Sequence, residues 1–482
     1  MRILYIDCDT LRADHLGCYG YQRDTSPNID WIAHQGVRFT NCYATDAPCL
    51  PSRAALFSGR FGIHNGMVGH GGTAADPLVE GAGRRFRQSP DRLPWVYRLR
   101  EAGLRTVTVS PFADRHSSWW FYEGFAEFYD PGKKGMERAE EVNPLALDWI
   151  RRNAAKDNWF LHVHYWDPHT PYRTPLEYGN PFEGEPLPEW YNEEVRAQHY
   201  AGYGPHSAHE PLGWGGEALS HPRMPAEIAS MDDWRRWIDG YDVGIRYMDD
   251  HVGQLLEALD DQGALEDLVI LISADHGENQ GELNVYGDHQ TADEPTSRVP
   301  LVIRWPGLAR RVDEGLYYQL DLAPTLADLT GAKHSARWDG RSFAQAFRKG
   351  DSDGRSHLVV SQCAWSCQRS VRMGRWLMMR TYHDGLKDFP PYMLFDLNAD
   401  PHQQLNQASG RPDVVSQMSE VLEAWHAEMM ASSTTNVDPM WTVIREGGPE
   451  HTRHDLERYC RRLRETDRAH HAEALLARHG KR

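Results

Sequence analysis

Short apolar runs that end in polar residues recur along the first two thirds of the chain, separated by segments with a helical period. The clearest runs are ILYIDCD near the start, TVTVS (106–110), WFLHVHYWD (159–167), LVILISADHGE (268–278) and PLVIRWPG (300–307). Alternation of such runs with helices predicts an α/β domain whose large central sheet is mostly parallel or mixed and is flanked by helices. In sheets of this kind the chemistry collects at the carboxyl ends of strands, so the polar tails of the runs are the candidate site.

Two of the intervening segments have the period of a helix that packs on a sheet. The segment IRYMDDHVGQLLEAL spaces its apolar residues three or four apart, at Ile245, Met248, Val252, Leu255 and Leu259. DLAPTLADLTG (321–331) has proline near its start and glycine at its end, which are helix boundary signals. Residues 176–232 are rich in Pro, Gly, Trp and Tyr without a clear period, which predicts a long insertion over one face.

The pattern changes near residue 355, where shorter strand-like pieces precede a helix at about 411–431. We predict a catalytic α/β domain over 1–355, a smaller C-terminal α+β subdomain over 356–435 and a helical tail over 436–482. The tail is rich in Arg and His, so we expect it to add little to the core of its own subunit and to reach a neighbouring subunit in a homo-oligomer. A self-packed or frayed terminus is the alternative.

The composition limits which binding partners and which cellular compartment we expect for the protein. The 482 residues are 40% hydrophobic and carry a formal net charge of −17, which argues against nucleic acid or an anionic membrane as the main partner. The start of the chain lacks a signal-peptide pattern, and no apolar run reaches the roughly 18 residues of a membrane span, so we expect a cytoplasmic protein. The seven cysteines show no framework spacing, which makes a disulfide scaffold unfavourable.

Acidic residues at two strand ends predict a metal site. Asp7 and Asp9 are two residues apart in a strand, so their carboxylates leave the same face and repel each other unless a cation lies between them. A second run ends in Asp275 and His276. Together these residues predict one divalent cation, with Ca²⁺ as the first expectation, Mg²⁺ as an alternative and Mn²⁺ as the ion that best tolerates the histidine. Taken singly, each carboxylate could instead cap a helix or bond a backbone amide.

The stretch DAPCLPSRAALFSGR (46–60) carries the most specific motif. Its CLPSR matches the Cys-x-Pro-Ser-Arg signature of type I sulfatases in the alkaline phosphatase superfamily. Other pieces resemble that family in the same order along the chain, namely DTLRADHLGCYG, YWDPHTPY (165–172), ADHGE (274–278), SRVPLVIRWPG (297–307), DLAPTLADLTG and LFDLNADP (394–401). The resemblance therefore extends from the start of the chain to residue 401.

The resemblance implies that Cys49 is oxidised to formylglycine by a maturation enzyme. The aldehyde hydrates to a diol, one hydroxyl attacks the sulfur of a small sulfated substrate, and the second hydroxyl then expels the sulfate. Arg53 would stabilise the diol. The family's metal set maps onto Asp9, Asp275, His276 and the modified Cys49, with Asp7 as an added candidate.

The resemblance also implies roles for three histidines, and it is incomplete around two of them. His169 aligns with a family histidine that contacts the substrate. His289 stands where many sulfatases have a lysine, and His116 follows a strand that in many relatives leads to a Gly-Lys-Trp-His motif, which this chain lacks. Either a histidine or Arg115 could therefore protonate the leaving alcohol.

A further departure lies at Thr10, where many sulfatases have a second aspartate that binds the metal. Asp7 could replace this aspartate, either as a direct metal ligand or by supporting a metal ligand. The Thr10 hydroxyl could also bind the metal.

Three functions remain open from the sequence. The first is a sulfatase that acts on a sulfate ester, with a carbohydrate sulfate as one option. The second is a phosphonate monoester or phosphodiester hydrolase that uses the same nucleophile. The third is a non-catalytic binding protein with an unmodified cysteine, which has no need of the complete set of Asp9, Cys49, Arg53, Asp275 and His276.

Overall fold

Two main sheets organise the chain in the computed structural model, which describes residues 1–78, 92–213 and 221–479. The strands are β1 (Arg2–Cys8), β2 (Val37–Tyr43), β3 (Asp46–Ala47), β4 (Arg105–Val109), β5 (Glu127–Tyr129), β6 (Trp159–Tyr165), β7 (Leu268–Ala274), β8 (Asn279–Gln280), β9 (Tyr286–Asp288), β10 (Arg298–Arg304), β11 (Arg311–Tyr318), β12 (His357–Gln362), β13 (Cys367–Met373), β14 (Trp376–His383) and β15 (Tyr392–Asp396).

The helices lie on both sides of these sheets and over their edges. They are α1 (Pro27–Ala33), α2 (Cys49–Ser58), α3 (Gly62–Asn65), α4 (Val96–Glu101), α5 (Phe112–His116), α6 (Ala139–Asn153), α7 (Glu193–Ala201), α8 (Met231–Asp261), α9 (Glu294–Ser297), α10 (Leu322–Thr330), α11 (Ala344–Lys349), α12 (Pro412–Ser432), α13 (Pro439–Arg445), α14 (Leu456–Glu465) and α15 (Ala469–His479). None of them, within the described ranges, combines the length and the apolar character needed to cross a membrane.

The larger sheet has eight strands in the order β11-β2-β10-β7-β1-β6-β4-β5. Strand β1 lies between β6 and β7 and is parallel to both, with Cys8 opposite Tyr165 on one side and Ala274 on the other. Asp9 and Asp275 therefore leave the sheet at the same edge. Because β10 is antiparallel to β2 and β7, the sheet is mixed, and the predicted fold class is confirmed.

Helix α8 is longer than the apolar pattern predicts. It begins after Ser230, whose hydroxyl accepts a hydrogen bond from Asp233 N, and the predicted apolar residues are buried with the exposed face left polar. Trp234 and Trp237 extend the buried face toward its N-terminus. The predicted insertion contains α7, and its residues 214–220 lie outside the described residues.

The second sheet has the order β15-β14-β13-β12-β3 and forms the core of the C-terminal subdomain. Its edge strand β3 comes from the N-terminal part of the chain and pairs in parallel with β12, with Ser361 opposite Asp46. Helix α12 packs Met418 and Leu422 against the sheet. The subdomain is therefore joined to the segment that immediately precedes Cys49, and the boundary at 355 stays a prediction.

The tail packs on its own chain, so the expectation that it adds little to that core was wrong. Tyr459, Cys460, Leu463, Ala472 and Leu475 are buried in one cluster with Tyr203 and Leu386. Met440 and Val443 are buried in a second cluster with Val68 and Cys363. The physical reason is that α14 and α15 keep apolar residues at three- and four-residue spacing within a polar composition, and each helix buries that stripe.

Candidate active site

Cys49 is the first residue of α2 and is separated from β3 by Pro48 alone. It is 3% exposed, and its Sγ lies 3.3 Å from His276 Nε2 and 4.0 Å from Asp9 Oδ1. Pro51 lies in the first helical turn, where its missing N–H leaves no hydrogen bond unmade. The positive end of the helix dipole therefore meets any negative charge that develops at position 49.

Arg53 lies one turn further along α2 and is fully buried among carboxylates. Its Nε donates to Asp7 Oδ2 at 2.9 Å, and its Nη1 donates to Asp9 Oδ2 at 2.8 Å and to Asp275 Oδ2 at 2.5 Å. Burial by itself would raise the pKa of Asp9, but the Arg53 guanidinium and the neighbouring histidines together hold that pKa well below its usual range. Arg53 thus fixes the carboxylates that follow β1 and β7.

One guanidinium does not balance three carboxylates. With Asp7, Asp9 and Asp275 ionised, Arg53 leaves two negative charges in a buried site, which is costly without a further cation. Burial, reinforced by Asp9 and Asp7, raises the pKa of Asp275 well above its usual value. A divalent cation would compensate the remaining two charges.

The possible ligand atoms of four residues lie within 4.8 Å of one another, those of Asp9, Cys49, Asp275 and His276, and all four residues are buried. Carboxylate oxygens with one imidazole fit a divalent cation of the calcium, magnesium or manganese type. Asp7 lies outside this group, since it contacts Arg53 and lies 3.4 Å from His162 Nε2. The side chains present therefore fit a metal whose ligands do not include Asp7.

Thr10 is a strained residue beside these ligands. Its φ is 55°, an unfavourable left-handed value for a β-branched residue, and its backbone N–H donates to Asp275 Oδ1 at 3.2 Å. Its buried hydroxyl has no hydrogen-bond partner among the described residues. The hydroxyl is therefore available to a ligand at this edge of the sheet.

The predicted histidines lie together in what we call the proximal arc, formed by His289, His169, Trp166 and His116. The arc starts next to the nucleophile, because the rings of His276 and His289 are 4.2 Å apart. Successive ring centroids along the arc are separated by 5.6, 5.5 and 6.4 Å. His289 Nδ1, Trp166 Nε1 and His116 Nε2 are buried without a partner among the described residues. Buried polar atoms are normally paired, so these three point to a polar ligand.

Burial leaves the imidazoles of the site neutral. It lowers the pKa of His276 to about 4 and, together with the charge of Arg115, that of His116 to about 3. Burial, with His276 nearby, also lowers the pKa of His289 well below its usual value. We therefore expect none of these three rings to titrate near the usual 6.5 in the free protein, because burial disfavours the charged rings.

Two buried histidines on β6 lie behind the carboxylates and were missed in the sequence. His164 Nε2 accepts from Arg53 Nη2 at 2.7 Å, so its proton is on Nδ1, which lies 2.9 Å from Ser110 Oγ. His162 Nδ1 likewise lies 2.9 Å from Thr108 Oγ1. The sequence feature that could have identified them is their two-residue spacing on a strand that pairs with β1. This spacing directs both rings to the face of the sheet that carries Asp7 and Asp9.

Comparison with known proteins identifies relatives over nearly the whole chain. The family model described as Sulfatase matches residues 2–332, and the model for the C-terminal part of N-sulphoglucosamine sulphohydrolase matches residues 281–428. An N-acetylglucosamine-6-O-sulfatase of Bacteroides thetaiotaomicron is 21% identical over 92% of this chain and 89% of its own.

Solved structures give the same fold. The structure of BT4656 in complex with its substrate D-glucosamine-2-N,6-O-disulfate has a TM-score of 0.69 at 18% identity and covers 91% of this chain and 99% of that one. The phosphonate monoester hydrolase of Agrobacterium radiobacter has a TM-score of 0.66 at 20% identity, with coverage of 89% and 96%. Residues beyond 428 lie outside both family models.

Proposed function

Because the chain belongs to the sulfatase family and is a sulfuric ester hydrolase, we propose that it cleaves a carbohydrate sulfate with a formylglycine made from Cys49. The observation that carries the proposal is the placement of Cys49 at the start of α2, against Asp9, Asp275 and His276. Relatives named as N-acetylglucosamine and N-acetylgalactosamine 6-O-sulfatases support a sugar as the alcohol part of the substrate.

Asp9, Asp275, His276 and the modified residue 49 would hold one divalent cation, with Ca²⁺ as the first candidate. When bound, the cation supplies positive charge that lowers the pKa of a nearby hydroxyl and stabilises negative oxygen. The hydrate of formylglycine supplies the attacking hydroxyl. Arg53 holds the three carboxylates in place and favours the ionised forms of Asp7 and Asp9, and Asp7 acts on the site through Arg53.

The proximal arc supplies hydrogen bonds to the sulfate group and the proton for the leaving alcohol. An anionic sulfate ester beside His169 and His289 favours protonation of both rings, and the charged rings donate N–H groups to sulfate oxygens in a buried site, where such bonds are strong. Asp288 Oδ1 lies 3.6 Å from His289 Nε2 and favours a proton on that nitrogen. We assign His289 as the donor to the leaving oxygen, with Arg115 as the alternative.

The modification of residue 49 is the direct test of this proposal. We expect the tryptic peptide that contains position 49 to carry an aldehyde when the host supplies a formylglycine-generating enzyme. Cys49→Ala should abolish turnover of sulfate esters while the unfolding temperature stays close to that of the wild-type protein. Turnover by protein that mass spectrometry shows to carry only the thiol would overturn the proposal.

Phosphonate monoester or phosphodiester hydrolysis is the second candidate, because two phosphonate monoester hydrolases share the fold. A relative named as a multifunctional alkaline phosphatase superfamily protein is 25% identical over 80% of this chain. Comparing kcat/KM on sulfate esters, phosphodiesters and phosphonates decides between them, since a clear preference for phosphorus would displace the sulfatase assignment. A cytoplasmic location also remains part of the proposal, and cell fractionation tests it.

A further inference from the structure

The contacts of the proximal arc continue beyond His116 into side chains that the catalytic assignment does not use. The His70 ring lies 5.1 Å from that of His116. His70 Nδ1 is 2.9 Å from His451 Nε2, and the His451 ring stacks on Trp365 at 4.5 Å with 22° between the planes. Trp365 in turn contacts His206 edge to face at 5.1 Å. We call His70, His451, Trp365 and His206 the distal arc.

The two arcs close into one circuit through Asp288. His206 Nε2 lies 3.0 Å from Asp288 Oδ2, and the other oxygen of the same carboxylate is 3.6 Å from His289 Nε2. The circuit also touches the nucleophile on both sides, because Leu50 N–H donates to His70 Nε2 at 3.4 Å and His276 contacts both His289 and Cys49. The distal arc therefore adjoins Leu50, the residue next to Cys49, and the proximal arc adjoins Cys49 through His276.

His451 comes from the tail, and the structure holds it firmly. Its backbone N–H donates to Ala364 O at 3.2 Å, and Thr452 Oγ1 donates to Trp365 O at 3.4 Å. On the other side, Thr73 bonds to Glu446, and a Cβ at Gly71 would lie 2.6 Å from the Glu450 carboxyl carbon. The tail segment 446–453 is thus clamped between the loop after α3 and the turn that carries Trp365, so His451 has a defined position.

Two rings of the distal arc, those of His70 and His451, offer uncharged hydrogen-bonding groups. Because Leu50 N–H donates to His70 Nε2, His70 carries its proton on Nδ1 and donates to His451 Nε2, which leaves an N–H on His451 Nδ1. Burial, together with the neighbouring imidazoles, lowers the pKa of His70 and of His451, so both rings are neutral at neutral pH. His206 Nδ1 is buried without a partner among the described residues. Such a surface suits hydroxyl groups better than a second sulfate, which calls for a permanent cation.

We propose that the distal arc is the subsite for the alcohol part of the sulfate ester, that it takes an uncharged hydroxyl-bearing sugar ring, and that His451 of the tail binds this ring. The inference rests on the proposed function and extends it to the substrate class. It also assigns a binding role to a segment that both family models leave out.

Kinetics with two kinds of sulfate ester test the subsite. The probes are 4-nitrophenyl sulfate, whose alcohol has no hydroxyl for the subsite, and a panel of the 6-sulfates of glucose, N-acetylglucosamine and N-acetylgalactosamine. We expect His451→Ala to raise KM for the preferred sugar sulfate about tenfold, the effect of losing one buried hydrogen bond. The kcat/KM for 4-nitrophenyl sulfate should change less than about twofold, and His451→Gln should recover part of the loss because it keeps an N–H donor. His470→Ala, an exposed histidine of the same tail, is the control.

Binding to the inactive Cys49→Ala protein separates failure of the subsite from failure of the proposed function. Calorimetry with the same sugar sulfates should show His451→Ala weakening Kd by about the same factor. An unchanged Kd, or equal losses on the aryl and the sugar sulfates, would overturn the subsite. If the wild-type protein turns over 4-nitrophenyl sulfate but neither binds nor cleaves any sugar of the panel, the sulfatase assignment stands and the subsite is wrong. If no sulfate ester is turned over, the binding comparison still decides the subsite.

Discussion

At the scale of single residues, Arg53 controls the charge of the site. Its guanidinium is fully buried and bonds to three carboxylates, so it cannot be withdrawn to meet an incoming sulfate without leaving those charges unpaired. Positive charge for the substrate would then come from the proposed cation, from the helix start at Cys49 and from side chains such as Arg115. The arrangement explains how a metal-loaded site can accept an anionic ester.

Metal binding should separate the roles of Asp275 and Asp7. Asp275→Ala removes one of the few anionic ligand candidates, so we expect bound divalent cation and sulfatase activity to be lost together. Asp7→Asn should keep most of the cation, because Asp7 contacts Arg53 and not the ligand group. Elemental analysis of the two purified variants beside activity checks this. Full metal occupancy with full activity in Asp275→Ala would contradict the site.

The role of His289 should depend on the leaving group. His289→Ala removes the proposed proton donor, so kcat for sugar sulfates, whose alcohols leave poorly, should fall by a factor of about 10² or more. An activated aryl sulfate can leave without a proton and should lose far less. Since burial lowers the pKa of His289, we also expect no change in the kcat/KM of the free protein centred near pH 6.5. Equal losses on both kinds of ester would reject the role of His289 as an acid.

The sequence allowed some of these residues to be predicted and hid others. Cys49 and Arg53 were accessible through a local motif, and Asp9 and Asp275 through strand ends that a parallel sheet brings together. His70 and His451 are 381 residues apart and have no motif or period in common. Their pairing depends on how the tail packs, which local pattern does not encode.

At the scale of elements, the apolar runs predicted β1, β6 and β7 because these strands are buried on both faces. Strands β2 and β11 were not predicted, since both contain polar or partly exposed residues at several positions. In the sequence, the apolar stripes of α14 and α15 indicated only that the tail is amphipathic. The residues that cover these stripes come from distant parts of the chain.

The packing of α14 can be measured at Leu463, which is fully buried in the tail cluster. Leu463→Ala should lower the free energy of unfolding by about 2–5 kcal/mol, the usual cost of a cavity at a buried leucine. Leu405→Ala is the matched control, because Leu405 is 64% exposed and its removal should change stability by less than about 0.5 kcal/mol. Urea unfolding followed by fluorescence measures both. Equal stability of the two variants would show that the tail is not packed as described.

At the scale of the whole molecule, the three regions meet at the nucleophile. Strand β3 ties the C-terminal sheet to the residues just before Cys49, and the tail segment 446–453 lies against the loop that carries His70. The C-terminal subdomain and the tail therefore help to shape a site whose chemistry is supplied by the N-terminal α/β domain. This predicts that shortening the chain affects substrate selection before it affects the nucleophile.

Removal of the tail tests this arrangement together with the expected oligomer. A chain that ends after residue 435 loses α13, α14 and α15 and uncovers Tyr203, Leu386 and Val68, so its unfolding temperature should fall. Turnover of sugar sulfates should fall more than that of 4-nitrophenyl sulfate, because His451 is gone and Cys49 keeps its neighbours.

Since the tail packs on its own chain, light scattering should give the same number of subunits before and after truncation, whatever that number is. Homo-oligomer formation through other surfaces stays a prediction that the same measurement answers. A particle that dissociates on truncation would instead place the tail in a subunit interface.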